Sequence, residues 1–464
     1  MSVKFSSAIW PISRIISAAM AGIYRQRPAC ALPHADRHPE RTVLYRVLFH
    51  YFEKFLSEYE SRFEREHGFL RPVIKDVVEK YLDCGNPMCG FARIRCPDCG
   101  EERLLMFSCK TRGFCPSCHS KRREEWGDLS ACGHAQAEWM REELILDTPH
   151  RQVVFTIPKM LRIFFKYNRS LLSGLCLCGK KALVKYFKAV TGSEIIPGII
   201  AIIQTFGSRI NAHPHLHFLI SEGGSDRKGC FHRVSRFNDD LLREIFAREV
   251  LSLLLRNQLI NLTLVEKILH WRHTGFNVHS KIRARSKEET ELVGKYAIRP
   301  ILSLKRLSFE KAQGQVIYQY GKHSSELERM DYLDFIARVT SHIPDKGQVM
   351  IRYYGLYSNA HRGKMRKEGD DPSHPPIIED EASFKPSRGW AEMIKKVYEV
   401  DPLLCPKCRG QMHVISFIDD HKVIDKIISH LKLTFMAERP PPPQIVQQEL
   451  LMEVEEWENI SEGH

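Results

Sequence analysis

Three histidines stand within five positions of NAHPHLHFLI, Asn211 to Ile220. In an extended strand, side chains two apart share a face. His215 and His217 therefore point together, while Leu216 and Phe218 point the other way into a core. Two imidazoles on one face can grip a divalent ion, or form a buried pair bonded to backbone or to each other. His213 precedes Pro214 in the connection, so the alternation does not set its direction. The preceding stretch IPGIIAIIQTFGS reads as a partner strand, and Gln204 is the polar residue in its apolar centre. A buried amide needs partners. Placed across from the histidines, Gln204 offers an oxygen as third ligand.

A second kind of chemistry is written in cysteine. The chain has 14 cysteines, clustered as close pairs rather than at wide spacings, which points to metal in a reducing compartment and not to a secreted disulfide framework. CPDC (Cys96, Cys99) and CPSC (Cys115, Cys118) form C-x2-C-x15-C-x2-C, a four-thiolate zinc pattern in which each turn aims two sulfurs at one point. Cys84, Cys89 and Cys109 remain for a second zinc, with His119 or His134 as further ligands, or as ordinary cysteines beside the first site. CPKC (Cys405, Cys408) is half of another site, needing His413, His430 or partners from elsewhere. Arg93, Arg95, Lys110, Arg112, Lys121, Arg122 and Arg123 surround the knuckles, with Phe114 expected to be exposed among them. Such a surface suits phosphates and bases.

The elements that must position these residues follow from periodicity. From Val43 to about Lys80, apolar residues recur at helical spacing. Helical pattern resumes near Glu124 to Glu143. RQVVFTIP reads as a buried strand, 159–190 as helical, IPGIIAIIQTFGS and HLHFLI as two strands joined by RINAHP. A helix is expected from Asp239 to Leu269, a strand at TGFNVHSKIRARS, a helix in ETELVGKYAIRPILS ending at Pro300, and a strand at QGQVIYQYGK. RYYGLYSN has the turn formers and basic neighbours of a loop that touches DNA.

Lys plus Arg number 69 against 56 Asp plus Glu, a formal charge of +13, which favours a polyanionic partner. No run of about 18 apolar residues occurs, so no membrane span is expected. Arg14 interrupts the mildly apolar start, so a signal peptide is not expected either.

Several motifs together resemble one family. His-hydrophobic-His at HLH resembles the mark of HUH endonucleases. RQVVFTIP resembles their first conserved strand, and KYAIRPILSLKRL their nucleophile helix. With CGNPMCGFARIRCPDC, FSCKTRGFCPSCHSKR, WRHTGFNVH, RYYGLYSNAHRG and EVDPLLCPKC, the chain from about Leu44 to Leu433 resembles the rolling-circle transposases with an N-terminal zinc domain, the group that includes the single-tyrosine common-region elements. The resemblance implies that Tyr296 attacks a DNA phosphorus and keeps the 5′ phosphate. Arg299 and Lys295 would neutralise phosphate charge, and Mg²⁺ or Mn²⁺ would sit on His215, His217 and Gln204, with His279 as an alternative third ligand. Some relatives carry two tyrosines four residues apart; Leu292 stands four before Tyr296. Tyr353 and Tyr357 are four apart and form a lesser candidate pair.

The expected architecture is α+β: an antiparallel-sheet HUH domain with covering helices, preceded by a helical and zinc-ribbon domain. The expected boundaries are an extension (1–43), a helical zinc-binding and DNA-binding domain (44–147), the catalytic domain (148–365), a linker (366–390), a C-terminal helical segment with CxxC (391–436) and a disordered tail (437–464). The implied partner is DNA, as single-stranded or hairpin transposon ends, met in the cytoplasm at the nucleoid. A non-catalytic zinc-containing DNA-binding regulator would explain the cysteines and charge but leave His215, His217 and Tyr296 unused. A replication initiator or relaxase of the same chemistry differs only in its DNA.

Overall fold

The computed structural model describes residues 41–111, 113–116, 118–119, 144–226, 228–271, 274–321, 326–368, 403–405 and 407–431. Most of the expected extension and of the linker, the tail and the Glu124–Glu143 helix lie outside the described residues. The fold is α+β with antiparallel sheets, as expected.

The centre is a sheet of order β11-β4-β5-β3-β7, with short β6 pairing β5. Its strands are β3 (His150–Thr156), β4 (Ile196–Phe206), β5 (Ala212–Ser225), β6 (Phe231–Arg233), β7 (Asn277–Ala284) and β11 (Ile351–Gly355). One face carries Val153, Phe155, Ala201, Ile203, Leu216 and Phe218 into the largest apolar core. Helices α3 (Leu171–Thr191) and α4 (Asp239–Arg256) cover it, with Ile268 of α5 (Leu262–His270) packed beside them. Helix α3 forms because Leu172, Leu175, Gly179, Ala182, Leu183 and Tyr186 recur on one side. It stops at left-handed Gly192. Gly179 is needed for contact: a Cβ there would lie 2.7 Å from the Phe218 ring. The opposite sheet face carries Gln152, Gln204, His215 and His217 and is covered by α6 (Lys287–Ala297), whose Val293 and Ala297 pack with Ile200, Ile202, Leu219 and Ile282. Burial on both faces explains why β4 is apolar nearly throughout instead of alternating.

A second core joins α1 (Val43–Arg62), α2 (Pro72–Leu82) and α7 (Tyr332–Ser341) to a sheet of order β10-β9-β8, formed by β8 (Leu307–Glu310), β9 (Gln315–Tyr320) and β10 (Glu326–Asp331). A third sheet has the order β12-β1-β2 and pairs β1 (Phe91–Arg95) and β2 (Glu102–Met106) with β12 (His413–Ile418), from the far end of the chain. Among the described residues no helix is long and apolar enough to cross a membrane.

The expectation for RYYGLYSN is corrected. Its first half, Arg352–Gly355, is in strand β11, paired to β4 from Ile351↔Ile202 to Gly355↔Gly198. Tyr357 is only 1 % exposed and its hydroxyl bonds His150 Nε2. Gly198 makes room for that ring, since a Cβ there would lie 2.5 Å from it. Tyr357 is therefore a core residue and not a nucleophile.

Candidate active site and metal centres

Strands β4 and β5 are joined by a tight connection closed by Gly207 N–H on the Asn211 carbonyl. The register that follows sets Gln204 opposite His215 and Ile202 opposite His217. All four side chains thus share the face under α6. His215 and His217 are 6 % and 9 % exposed, with ring centroids 5.0 Å apart. His215 Nδ1 donates to the His213 carbonyl at 2.7 Å, which leaves its Nε2 as the lone-pair nitrogen. The Gln152 amide lies 2.9 Å from His217 Nδ1. An amide can turn either end to a partner; with its oxygen there, Nδ1–H is held and Nε2 becomes the ligand atom. Gln204 Nε2 donates to the Ala297 carbonyl.

The remaining polar atoms of this group are buried without a protein partner: Gln204 Oε1, His217 Nε2 and His213 Nε2. Buried acceptors left without a protein partner call for an ion or water. Burial holds all three imidazoles neutral. His217 is pushed down to about 4 by burial and then by the Arg299 charge; His213 also falls to about 4, through burial, Arg162 and Arg299. His215 falls well below its ordinary value, through burial and its neighbour His217. Neutral imidazole is the form that binds metal, so this donor set fits a divalent cation. His279 stands across β3 from His217, both facing Val154 in register. That is two strand spacings away, roughly 10 Å at the backbone, while Gln204 and His213 adjoin the pair directly.

Helix α6 begins at Ser286, whose hydroxyl accepts from Glu289 N–H while the Glu289 carboxylate accepts from Arg285 N–H. This is a capping arrangement, and Pro300 prevents continuation. Tyr296 sits on the last turn, 53 % exposed. Its neighbour Ala297 is the residue bonded by Gln204, so the backbone at Tyr296 is tied to the histidine face. Arg299 lies 5.7 Å from the Phe206 ring centroid, and its charge acts on all three histidines. Lys295 lies in α6. Sequence reading missed Gln152, although its place two before Val154 in RQVVFTIP put it on the histidine face.

The thiolates correct the expected zinc site. Cys96, Cys99, Cys115 and Cys118 do not come together; they divide between two clusters. Cys84, Cys109, Cys115 and Cys118 form one, and Cys96, Cys99, Cys405 and Cys408 the other. Sulfur separations are 3.5 Å for Cys109–Cys118 and 3.8 Å for Cys84–Cys115. In the other cluster both Cys96–Cys408 and Cys99–Cys405 are 3.4 Å. Four sulfurs at 2.3 Å from one ion lie about 3.8 Å apart, so both clusters have the dimensions of a tetrahedral zinc site. The reason for the division is an insertion. Gly85 N–H bonds the Phe107 carbonyl, and Phe107 N–H bonds that of Gly90. This neck closes off the β1–β2 hairpin, so Cys96 and Cys99 are carried away from Cys84 and Cys109. His119 is not in a cluster; its Nε2 lies 2.7 Å from the Ile298 carbonyl. Phe114 is buried edge-on to Tyr81, not exposed.

Of the basic residues, Arg93 and Arg95 are both paired with Glu102, at 2.6 and 3.8 Å. Lys110 is exposed in a left-handed turn, φ 55°. Arg112, Lys121, Arg122, Arg123 and His134 lie outside the described residues.

These features define an α+β protein that joins a four-cysteine zinc-binding module to an antiparallel sheet bearing a histidine pair. Residues 51–157 match the family model described as "Transposase zinc-binding domain" of the IS91 type, and residues 198–365 match the one described as "Putative transposase". Both matched segments are those of transposases, and the first is of the IS91 type. It is 28 % identical over 366 residues to the transposase for insertion sequence element IS801 of Pseudomonas savastanoi pv. phaseolicola, covering 75 % of this chain and 84 % of that one. It is 25 % identical over 392 residues to "Putative transposase y4qJ" of Sinorhizobium fredii, covering 78 % and 94 %. No solved structure matches.

Proposed function

We propose that this transposase nicks and rejoins single-stranded DNA through Tyr296, acting at single-stranded or hairpin transposon ends during rolling-circle transposition in the cytoplasm. The observation that carries the reading is the orphaned group Gln204 Oε1, His217 Nε2 and His213 Nε2 under a helix whose exposed Tyr296 adjoins the residue Gln204 holds. Tyr296 Oη attacks the scissile phosphorus, its proton passes to solvent, and the DNA O3′ departs with a proton as a free hydroxyl. The 5′ phosphate stays esterified to Tyr296. Attack by a 3′ hydroxyl on that ester reverses the step, so rejoining requires no ATP. Arg299 neutralises charge on the phosphate, with Lys295 beside the nucleophile as a second cation. His215, His217 and Gln204 would hold Mg²⁺ or Mn²⁺, which when bound polarises the scissile phosphate. Arg93, Arg95, Lys110, Arg112 and Lys121 to Arg123 supply phosphate contacts from the zinc module.

The test is covalent trapping on single-stranded DNA with Mn²⁺, resolved under denaturing conditions. Tyr296→Phe should abolish the protein–DNA adduct while leaving DNA binding intact. An adduct persisting in that variant would remove the assignment.

A further inference from the structure

The C-terminal end of α6 is fastened from two sides. Gln204 reaches the Ala297 carbonyl from the sheet, and His119 Nε2 lies 2.7 Å from the next carbonyl, that of Ile298, from the zinc module. The last carbonyls of a helix have no partner within it, so bonds of this kind decide where the helix end settles. Ile298 stands between Tyr296 and Arg299, and any shift of its peptide moves both. His119 directly follows Cys118, a member of the cluster formed with Cys84, Cys109 and Cys115. Its backbone N–H bonds the Cys115 carbonyl, so its place is set by the turn that carries two of the thiolates. A cavity of about 390 Å³ runs between the zinc module and the sheet here, lined by Phe114, His119, Gln204, Ala297 and Arg299.

We infer that His119 is a positioning residue for strand cleavage: by donating Nε2–H to the Ile298 carbonyl, it makes the zinc cluster set how α6 presents Tyr296 and Arg299 to the histidine face. The inference rests on Tyr296 being the nucleophile. It gives the zinc module a part in the chemical step besides any contact with DNA.

The test is the single-turnover rate of adduct formation with saturating Mn²⁺, on single-stranded oligonucleotides covering the DNA that flanks the gene. Misplacing a reacting group by about 1 Å costs up to about 100-fold, so His119→Ala should slow the step by about 10- to 100-fold. DNA affinity and zinc content should stay at the wild-type level. His119→Gln, which retains an N–H at similar reach, should recover most of the rate. An unchanged rate in His119→Ala, or an equal loss in both variants, would overturn the inference. Zinc or DNA affinity lost in step with the rate would also overturn it, in favour of a folding role. Tyr296→Phe in the same assay separates the two claims. If it still forms the adduct, the nucleophile assignment falls and this inference with it; if it is inactive and His119→Ala is normal, only the positioning role fails.

Discussion

The two thiolate clusters each hold four sulfurs at nearly the same spacing, yet they do different work. Cys84, Cys109, Cys115 and Cys118 are close in sequence, with Cys84 and Cys115 31 positions apart, and three of them are buried in the large core of α1, α2 and α7. Cys96, Cys99, Cys405 and Cys408 join segments 306 positions apart and share a small core with Ile94 and Met412. The first ion reinforces a core that packing already favours. The second must close a long loop for a ribbon with little apolar surface of its own, the situation in which metal binding becomes folding. Closing a loop ten times longer costs the unfolded chain about 2 kcal/mol more.

The two knuckles of the ribbon close in the same way, and one of their differences is informative. Cys96 N–H bonds the Glu101 carbonyl, and Cys405 N–H bonds that of Gly410. Each turn then passes through a left-handed residue after its second cysteine: Gly100 at φ 74° in one and Arg409 at φ 60° in the other. Glycine takes that conformation without strain, whereas an arginine there costs on the order of 1 kcal/mol. The knuckle from the far end of the chain is the more strained of the pair.

The largest expected effect separates the clusters. The wild-type chain should carry two zinc ions, and Cys115→Ser and Cys405→Ser should each lose one by metal analysis. Cys115→Ser should leave the helical core folded, with helical circular dichroism retained, whereas Cys405→Ser should unfold the ribbon, read as protease sensitivity of β12. Equal unfolding in both variants would erase the distinction. Next, a protease site placed between residues 369 and 402 tests the long closure. After cleavage the C-terminal piece should remain with the rest of the chain on a sizing column and leave it when a chelator is added. A piece that leaves without chelator would mean that the ribbon is not held by its ion.

The imidazole face extends the comparison, because it is built from lone pairs on a rigid sheet and needs outer partners to orient it. Gln152→Ala removes the group that orients His217. It should weaken the Mn²⁺ dependence of adduct formation by about 10- to 100-fold, the usual effect of losing such a partner, with both zinc ions retained. The smallest effect is Arg409→Gly. It should relieve the left-handed strain and stabilise the split ribbon by about 1 kcal/mol, read as slower zinc loss to a chelator. Faster loss would mean that the arginine side chain contributes more than the strain costs.

Much of the histidine face was legible in the chain. The two-residue spacing of His215 and His217, the polar Gln204 in an apolar strand and the short connection between them dictate one shared face, because strand alternation and hairpin pairing are local rules. Helix α6 and its end before Pro300 were legible for the same reason. Tyr357 was misread because its neighbours look like a loop, while its burial depends on Gly198 from a distant strand. Phe114 was misread because exposure is not a local property.

Cysteine chemistry marks the same boundary. The residues alone determined that CxxC turns would present paired sulfurs to zinc, since that geometry lies within four residues. Which pairs would meet was decided only by the tertiary structure. The β1–β2 hairpin lifts Cys96 and Cys99 out of the stretch between Cys84 and Cys109, and β12 brings Cys405 and Cys408 to them. Every CxxC turn offers the same two ligands at short range, so nothing within the turns could favour one partner over another. The choice was left to the backbone pairing that carries each turn to its place.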